Sequence, residues 1–555
     1  MRTKASCVAA AMALALFLGF GQQALQSQSE LAAAPELEAT VFDVANSMGM
    51  LRGRDQQDEV ATLELWATGT MTVDGQQREI TEYRASVNYM LTGLREDLTV
   101  ATPAGQTERQ IRAVSGNVAW DESELGLNST PALDTVRERL VQLWTTPMGA
   151  AKAVKAAGSA ARLTVENGTT ILTFPLPSPV NDVVAKATLR TDPELLILWH
   201  DFAYEGAGVG TYITRVETSG GIVTETTYAE YGDWNWDDYK EDVFIPRRIV
   251  HTRADGTRLD LTVTNTNTTN PYVVVPVPQN VRAAADTTFD GLPIPETIDT
   301  GPAPAATPRT PNGQVDLSGM WASTSSRAVV PDADGNIIVV NRGRPCHPGQ
   351  ECKPAVNIER DPALTKRVLP GYNVPSYKPE FWDHVQHLDV NGNMLDTEPY
   401  CYPEGLPRMG APDKIVQTDT EVILLYRRHN TFRVIPIDGR PHDPIRAVDL
   451  TWYGEAVGTW EGDTLVIDVV GFTGESWLDW AAYPHTNNMR VVERLRREGD
   501  TLIWQITVHD PEMLQKPWVM PTVRRSLNPD PQAVLQEDLP CDERDMVHMV
   551  TRERA

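Results

Sequence analysis

Basic residues are scarce in this chain of 555 residues, which has 49 Lys and Arg against 75 Asp and Glu. The formal net charge of −26 argues against nucleic acid or an anionic membrane as the main partner, because their phosphates repel an acidic surface. Long apolar runs are scarce too, and after residue 20 no segment approaches the roughly 20 apolar residues of a membrane span. A hydrophobic fraction of 41% nevertheless excludes a wholly disordered chain.

Motifs of several common enzyme classes are also missing. The chain has no P-loop, and its Gly-rich stretch GAGVG at 206–210 lacks the strand and helix that flank a dinucleotide site. Ser476 stands in GESW and not in a GxSxG elbow, so we predict no serine-hydrolase triad. On this basis we expect no cofactor.

The first 34 residues have the composition of a secretory signal peptide. Arg2 and Lys4 form a positively charged start, and residues 7–20 form an apolar run that is short for a permanent membrane anchor. A buried N-terminal helix is the alternative interpretation. We expect cleavage after Ala24 or Ala34, with 1–34 taken as the signal peptide, and a soluble mature protein in the periplasm or outside the cell.

Few cysteines remain once this peptide is removed. Cys346, Cys352, Cys401 and Cys541 can form two disulfides in three possible connectivities in an exported chain. Cys346 and Cys352 close the short loop CHPGQEC, which favours a bond between them and leaves Cys401 to pair with Cys541. A zinc site at Cys346, His347 and Cys352 is the alternative, although zinc usually takes four ligands at tighter spacing.

A segment with six prolines, 282–314, predicts an extended linker between two halves. The N-terminal half, 35–281, opens with apolar residues at helical spacing and continues with strand-like alternation. Residues 131–157 interrupt these strands with two predicted helices. The C-terminal half, 315–555, contains hairpins with Gly-Asp turns, as in GTWEGDTLVID. We therefore predict a mainly β protein.

The N-terminal half carries the phrases VSGNVAWDE, ERLVQLWTTPMGAAKA and DVFIPRRIVHTR in this order of elements. In these features it resembles the periplasmic lipoprotein-carrier superfamily of LolA/LolB type. The resemblance implies a curved antiparallel half-barrel with helices, whose concave apolar face would hold an acyl chain or another apolar ligand. The alternative is a concave face that is simply core beneath the two helices.

The C-terminal half contains CYPEGLPRMG (401–410), FRVIPIDGRPH (432–442), GTWEGDTLVID (458–468) and GFTGESWLDWAAYPH (471–485). With these motifs it resembles a family of exported bacterial β-domain proteins without an assigned function. Hairpin pairs at this spacing predict a lipocalin-like β-barrel or a curved antiparallel sheet. The resemblance implies no activity.

The long connection GFTGESWLDWAAYPHTNN is the best place to look for chemistry, because loops of this length in compact β domains are often functional. We predict that Asp479 and His485 form a carboxylate–imidazole pair for acid–base catalysis, with Glu493 as a second acid. Two arginines would hold an anionic group and three aromatic residues would contact the ligand: Arg433, Arg494, Trp477, Trp480 and Tyr483. The alternative is a loop packed by its own aromatic side chains, with His485 satisfied in a polar interior.

A second histidine group lies in FWDHVQHLD, where His384 and His387 would share one face of a helix. Together with Asp383 or Asp389 they would suffice for a labile metal site. The pattern falls short of a metal motif, however, because no third histidine stands at motif spacing. We therefore expect ordinary histidines here and predict no metal.

From these features we predict an exported cell-envelope protein that binds a hydrophobic or amphipathic small molecule, a lipid among the candidates. One alternative is a hydrolase or lyase that acts on such a ligand through His485 and the carboxylates. Another is an interaction scaffold that uses the aromatic cluster at 231–239. The sequence leaves the oligomeric state open.

Overall fold

The computed structural model describes residues 36–538, apart from the segments 53–56, 59, 103–104, 202–203, 235–242, 269, 271, 293–295, 323–326, 332–336, 342–373, 391–394, 480–481 and 531. The protein is mainly β, and its chain divides into two units, Met1–Gly291 and Leu292–Ala555. Every strand pairing in the two large sheets is antiparallel, which confirms the predicted fold class. No helix among the described residues combines the length and the apolar character that crossing a bilayer requires.

The first unit contains four helices and fifteen strands among its described residues. The helices are α1 (36–47), α2 (Val136–Trp144), α3 (Pro147–Ala157) and α4 (Gln279–Ala284), with short 3₁₀ helices at Leu133–Thr135 and Gly158–Ala160. The strands are β1 (Leu51–Arg52), β2 (Gln57–Asp58), β3 (Thr62–Val73), β4 (Gln76–Asn88), β5 (Gly93–Ala101), β6 (Thr107–Ser115), β7 (Val118–Glu122), β8 (Thr130–Pro131), β9 (Arg162–Glu166), β10 (Thr169–Pro175), β11 (Val184–Asp201), β12 (Tyr204–Ser219), β13 (Glu225–Asp233), β14 (Phe244–Thr252) and β15 (Arg258–Asn267).

Strands β3 to β15 form one curved sheet of 13 strands. Near the middle of the sheet, β3 pairs with both β4 and β15, so the chain builds one wing from β3 to β8 and the other from β9 to β15. Helices α2 and α3 connect the two wings. Their apolar sides are buried in the same core as the inward-facing residues of β3, β4 and β15, which places them over the concave face.

Strands β6 and β7 of the first unit are buried on both faces. Successive side chains of a strand point to opposite sides of the sheet, and here they enter two different clusters. Val114 and Ala119 belong to the main core, whereas Ala113 and Trp120 belong to a second cluster. Val281 of α4 packs in that second cluster. The first unit therefore has three layers at this edge, with helices on both sides of the sheet.

The second unit contains twelve strands among its described residues, together with helix α5 (Trp382–Val390) and 3₁₀ helices at Pro379–Phe381, Glu398–Tyr400 and Arg428–Asn430. The strands are β16 (Gly319–Ala322), β17 (Arg327–Pro331), β18 (Ile337–Asn341), β19 (Lys414–Gln417), β20 (Glu421–Tyr426), β21 (Thr431–Pro436), β22 (Glu455–Glu461), β23 (Thr464–Val470), β24 (Arg490–Glu498), β25 (Thr501–His509), β26 (Trp518–Val519) and β27 (Val523–Leu527).

Ten of these strands form a sheet in the order β21-β20-β19-β16-β27-β25-β24-β23-β22, with β26 added to β25. The two end strands approach each other, since Gly458 of β22 lies against Ile435 of β21. The sheet therefore curls into a nearly closed barrel. Strands β17 and β18 form a separate hairpin.

The segment that was predicted as a linker contributes to the second unit. Backbone carbonyls of Gly301 and Pro302 accept hydrogen bonds from the buried guanidinium of Arg496 at 2.7 and 3.2 Å. Further along, Arg309 forms an ion pair with Asp463 at 2.6 Å. Prolines keep this stretch extended and leave its carbonyls available, so it lies along the barrel as an additional layer.

Candidate functional site

His485 is buried, and both of its ring nitrogens are engaged within its own loop. Nδ1 lies 2.9 Å from the carbonyl oxygen of Thr486, and Nε2 lies 2.8 Å from Oγ of Ser476. A carbonyl only accepts, so Nδ1 carries the proton and Nε2 accepts the hydroxyl of Ser476. Burial lowers the pKa of His485 below its ordinary value. The pair predicted between His485 and Asp479 is therefore not formed, because neither ring nitrogen is left for the carboxylate.

Ser476 is the partner that sequence analysis missed. It is nine residues from His485 in the same loop, but GESW matches no nucleophile motif. Only 3% of Ser476 and 4% of His485 is exposed, and the backbone at Gly405 lies against the Ser476 side chain. A ligand has no access to this hydroxyl in the folded chain, so the serine–histidine contact holds the loop together.

The aromatic residues of this loop are also packed inside the protein. Trp477 lies under the guanidinium of Arg408, 5.5 Å from ring centre to Cζ. Tyr483 is fully buried and meets Trp518 edge-on at 5.7 Å between ring centres. Trp480 lies outside the described residues. These contacts support the alternative interpretation, in which the loop is filled by its own side chains.

Glu493 and Arg433, both predicted site residues, are brought together inside the barrel. Arg433 Nη2 lies 2.6 Å from Glu493 Oε1, and the indole nitrogen of Trp504 donates to Oε2 at 3.0 Å. Both charged side chains are almost fully buried. Burial alone would lower the pKa of Arg433, but the adjacent Glu493 carboxylate raises it above its ordinary value. The two charges therefore neutralise each other and leave no free anion site.

Arg494 does not join Arg433 in one anion site. It follows Glu493 on β24, and neighbouring residues of a strand point to opposite faces. Its side chain is 31% exposed and pairs with Glu461 at 3.3 Å on the outer surface. The two arginines predicted to hold one ligand are thus separated by the strand itself.

The predicted histidine pair lies on α5, where His384, His387 and Asp383 are all exposed. The four cysteines give no structural test of the disulfides. Cys346, Cys352 and Cys541 lie outside the described residues, whereas Cys401 ends the 3₁₀ helix Glu398–Tyr400. Both disulfides, and the signal peptide at 1–34, stay predictions.

A different group of side chains gathers at one end of the barrel, and we call Glu398, Glu404 and His429 the carboxylate–histidine cluster. One ligand atom from each lies within 4.8 Å of the others. Glu404 is 2% exposed, and its burial raises the pKa of the carboxyl group to about 7. Arg428 forms ion pairs with both carboxylates, at 3.4 Å to Glu398 and closer to Glu404.

Sequence analysis missed this cluster because His429 follows Glu404 only after 25 residues and the three residues match no motif spacing. Glu404 lies within CYPEGLPRMG, which was noted only as a family resemblance. His429 stands at the turn between β20 and β21 with a left-handed φ of 53°. The letters RRHN gave no signal of the site, because the left-handed backbone of His429 is visible only in the structure.

A cavity of about 50 Å³ lies between the helices and the concave face of the first unit. Apolar side chains of the sheet line its floor, among them Leu65, Ala85, Val87, Leu261 and Val263. The junction of α2 and α3, at Thr145–Pro147, forms part of its roof.

Polar groups border the same cavity on one side. Tyr83 and Gln142 line it and donate to Oε1 of Glu96 at 3.1 and 2.8 Å. Glu96 is buried with Arg112 and Arg253, and although burial opposes ionisation, these arginines hold the pKa of its carboxyl group well below the usual range. The cavity is therefore amphipathic, with an apolar floor and a hydrogen-bonding rim.

Among the described residues, the apolar cavity of the first unit and the carboxylate–histidine cluster of the second are candidate places for a ligand. The resemblances to lipoprotein carriers and to the exported β-domain family stay predictions from the sequence. No protein-family model matches this chain, and no curated protein matches it.

Proposed function

We propose that this protein is an exported binding protein whose first unit holds the apolar part of a hydrophobic or amphipathic small molecule, such as a lipid. The observation that carries the proposal is the cavity between the concave sheet and the α2–α3 pair, with its apolar floor and polar rim. Ligand pockets are commonly apolar with a few polar groups that fix orientation.

The size of the cavity defines how such a ligand enters. A volume of about 50 Å³ has room for the end of a chain and not for a whole lipid, since pockets for complete ligands are roughly 300–1,000 Å³. Binding therefore requires α2 and α3 to move away from the sheet. Their junction lines the cavity at Thr145 and Thr146, so a chain that enters there separates helix from strand.

The polar rim gives the ligand a direction. Gln142 and Tyr83 present hydrogen-bonding groups next to the ion-paired Glu96, while Leu261 and Val263 lie on the apolar floor. A molecule with an apolar tail and a polar head satisfies both ends. A purely apolar molecule would cover the rim without replacing its hydrogen bonds to water.

The proposal is tested with the fluorescent fatty acid 11-(dansylamino)undecanoic acid. We expect saturable binding at one site, and at least about tenfold weaker binding after Ala85→Leu, which fills the floor of the cavity. Val165→Phe, at an exposed position of the same sheet, is the matched control and should leave affinity unchanged. Equal binding by Ala85→Leu and the wild type, with both shown to be folded by circular dichroism, would exclude this site.

A further inference from the structure

We propose that the carboxylate–histidine cluster, Glu398, Glu404 and His429, binds one divalent transition-metal ion. Nε2 of His429 lies 3.5 Å from Oε1 of Glu398 and 4.0 Å from Oε1 of Glu404. Ligand atoms at about 2.0–2.2 Å from a tetrahedral metal are roughly 3.3–3.6 Å apart. The His429–Glu398 distance already has this value, and since all three ligand atoms lie within 4.8 Å of one another, small side-chain movements bring the set to the spacing of a metal site.

One atom of this cluster lacks a hydrogen bond. Nε2 of His429 is buried and has no hydrogen-bond partner in the described part of the chain, and it faces Oε1 of Glu404, whose ion-pair partner is Nε of Arg428. Buried polar atoms are normally satisfied, and a histidine nitrogen beside a carboxylate oxygen is the usual donor set of a metal ion. An ion placed between them would give Nε2 of His429 a partner and would replace the positive charge that Arg428 supplies to Glu404.

Arg428 supplies positive charge to the cluster in the metal-free state. It pairs with both carboxylates, yet its side chain is 44% exposed and extends to the surface. The guanidinium can therefore turn into solvent when a metal takes over its charge. Arg428 and the metal compete for the same two carboxylates, which makes this arginine a specific probe of the site.

One of the two carboxylate residues, Glu398, is positioned by a second buried pair. Arg408 forms two hydrogen bonds with Asp396, at 2.8 and 2.7 Å. Oδ1 of Asp396 also accepts the backbone amide of Glu398 at 3.0 Å. On the other side, the amide of His429 donates to Asp538 at 3.2 Å. Such supporting contacts orient metal ligands in known sites.

The donor set defines the class of ion. Carboxylate oxygens suit Mg²⁺, Ca²⁺ and Mn²⁺, whereas imidazole nitrogen suits Zn²⁺, Fe²⁺ and other transition metals. One imidazole with two carboxylates favours Zn²⁺ or Mn²⁺ over Ca²⁺. Three protein ligands also leave at least one coordination position open for water or a ligand, as in catalytic zinc sites.

The test is titration of the full-length mature protein with Zn²⁺ by isothermal calorimetry after treatment with a chelator. We expect one tight site in the wild type, and at least about tenfold weaker binding in His429→Ala and in Glu404→Gln. His384→Ala, which removes an exposed histidine of α5, is the control and should bind as the wild type does. Arg428→Gln should bind Zn²⁺ more tightly, because the competing cation is gone.

Three results would overturn the site: no tight Zn²⁺ binding by the wild type, unchanged binding by His429→Ala and Glu404→Gln, or weaker binding by Arg428→Gln. Thermal unfolding without metal shows whether each variant is folded. Glu404→Gln preserves the shape of the side chain and carries the test if His429→Ala does not fold. Ca²⁺ titration completes the experiment, and tighter binding of Ca²⁺ than of Zn²⁺ would contradict the imidazole ligand.

Discussion

Single residues inside the barrel show how a predicted binding group becomes a structural one. Arg433 was expected to hold an anionic ligand and Glu493 to act as an acid, and both residue types fit those roles. In the fold Arg433 and Glu493 form an ion pair, and the indole nitrogen of Trp504 donates a hydrogen bond to the second oxygen of the carboxylate. Residue type predicts which kind of interaction a side chain can make, but the tertiary structure decides which residue becomes its partner.

Arg433→Met should destabilise the second unit by about 3–5 kcal/mol, because it leaves the Glu493 carboxylate buried without its counter-charge. Urea unfolding of the purified protein measures the change. The control is Arg494→Met on the outer face of β24, where loss of an exposed ion pair costs about 1 kcal/mol or less. Equal effects of the two substitutions would show that the Arg433–Glu493 pair is not desolvated.

His251 should make the stability of the first unit depend on pH. Its ring is buried against Thr226 at 2.8 Å, and burial lowers the pKa of His251 to about 4. The unfolded chain has a pKa near 6.5, so between these values the unfolded state binds more protons and acid favours unfolding. The folding stability that the neutral His251 contributes is fully present above about pH 6.5 and is lost as the pH falls towards 4.

We therefore expect the wild type to lose about 2 kcal/mol more than His251→Asn between pH 7.5 and pH 5. Asparagine keeps a polar atom near Thr226 but does not titrate. Urea unfolding at both pH values gives the difference. A parallel loss of stability in the two proteins would mean that His251 does not carry this pH dependence.

At the scale of elements, the helix pair over the sheet depends on the cap between its members. Thr146 accepts the amide of Gly149 at 3.1 Å at the start of α3, and its hydroxyl also contacts Tyr89 at 2.7 Å. Pro147 at the first helical position adds a preset backbone angle. This local chemistry fixes where α3 begins.

Thr146→Ala should destabilise the first unit by about 1–2 kcal/mol, because an N-terminal amide of α3 and the Tyr89 hydroxyl both lose their partner. Thermal unfolding followed by circular dichroism measures the loss. The matched control is Thr135→Ala at the start of α2, where the threonine makes no capping hydrogen bond to a helix amide and the effect should be smaller. A larger loss of stability in Thr135→Ala than in Thr146→Ala would show that the cap at Thr146 does not stabilise the helix pair.

Turn chemistry made the hairpins of the second unit predictable. The Gly-Asp turns place Glu461 opposite Thr464 and Glu498 opposite Thr501, as expected from the sequence. Gly462 has a φ of 59°, a left-handed value that favours glycine. The loop between β23 and β24 was also predictable as a connection, but its serine–histidine contact was not, because no periodicity reports which side chains of a loop turn inward.

At the scale of the whole molecule, the boundary between the two units falls inside the segment that composition marks as a linker. Proline content marks 282–314 as one segment, and contacts divide the chain within it, between Gly291 and Leu292. The residues after this point supply carbonyls to Arg496, whose guanidinium is 2% exposed. An extended conformation is therefore no sign that a segment is free.

A fragment beginning at Leu292 should unfold cooperatively, whereas one beginning at Val315 should unfold at a clearly lower urea concentration. The shorter fragment leaves the buried Arg496 without the carbonyls of Gly301 and Pro302, a loss of at least about 2–3 kcal/mol. Urea unfolding of both fragments, with the full chain as reference, measures the difference. Identical midpoints would place the boundary at the end of the proline-rich segment.

The sequence by itself determined the mainly β class, the two helices over the first sheet and the hairpins of the second, because periodicity and turn residues act within a few positions along the chain. Tertiary structure alone decided that Glu493 meets Arg433, that His485 meets Ser476, and that Glu398, Glu404 and His429 gather at one end of the barrel. These side chains come from strands and loops whose contact depends on how the sheet curls. Curvature arises from packing across the whole sheet, and no local pattern encodes which distant residues it brings together.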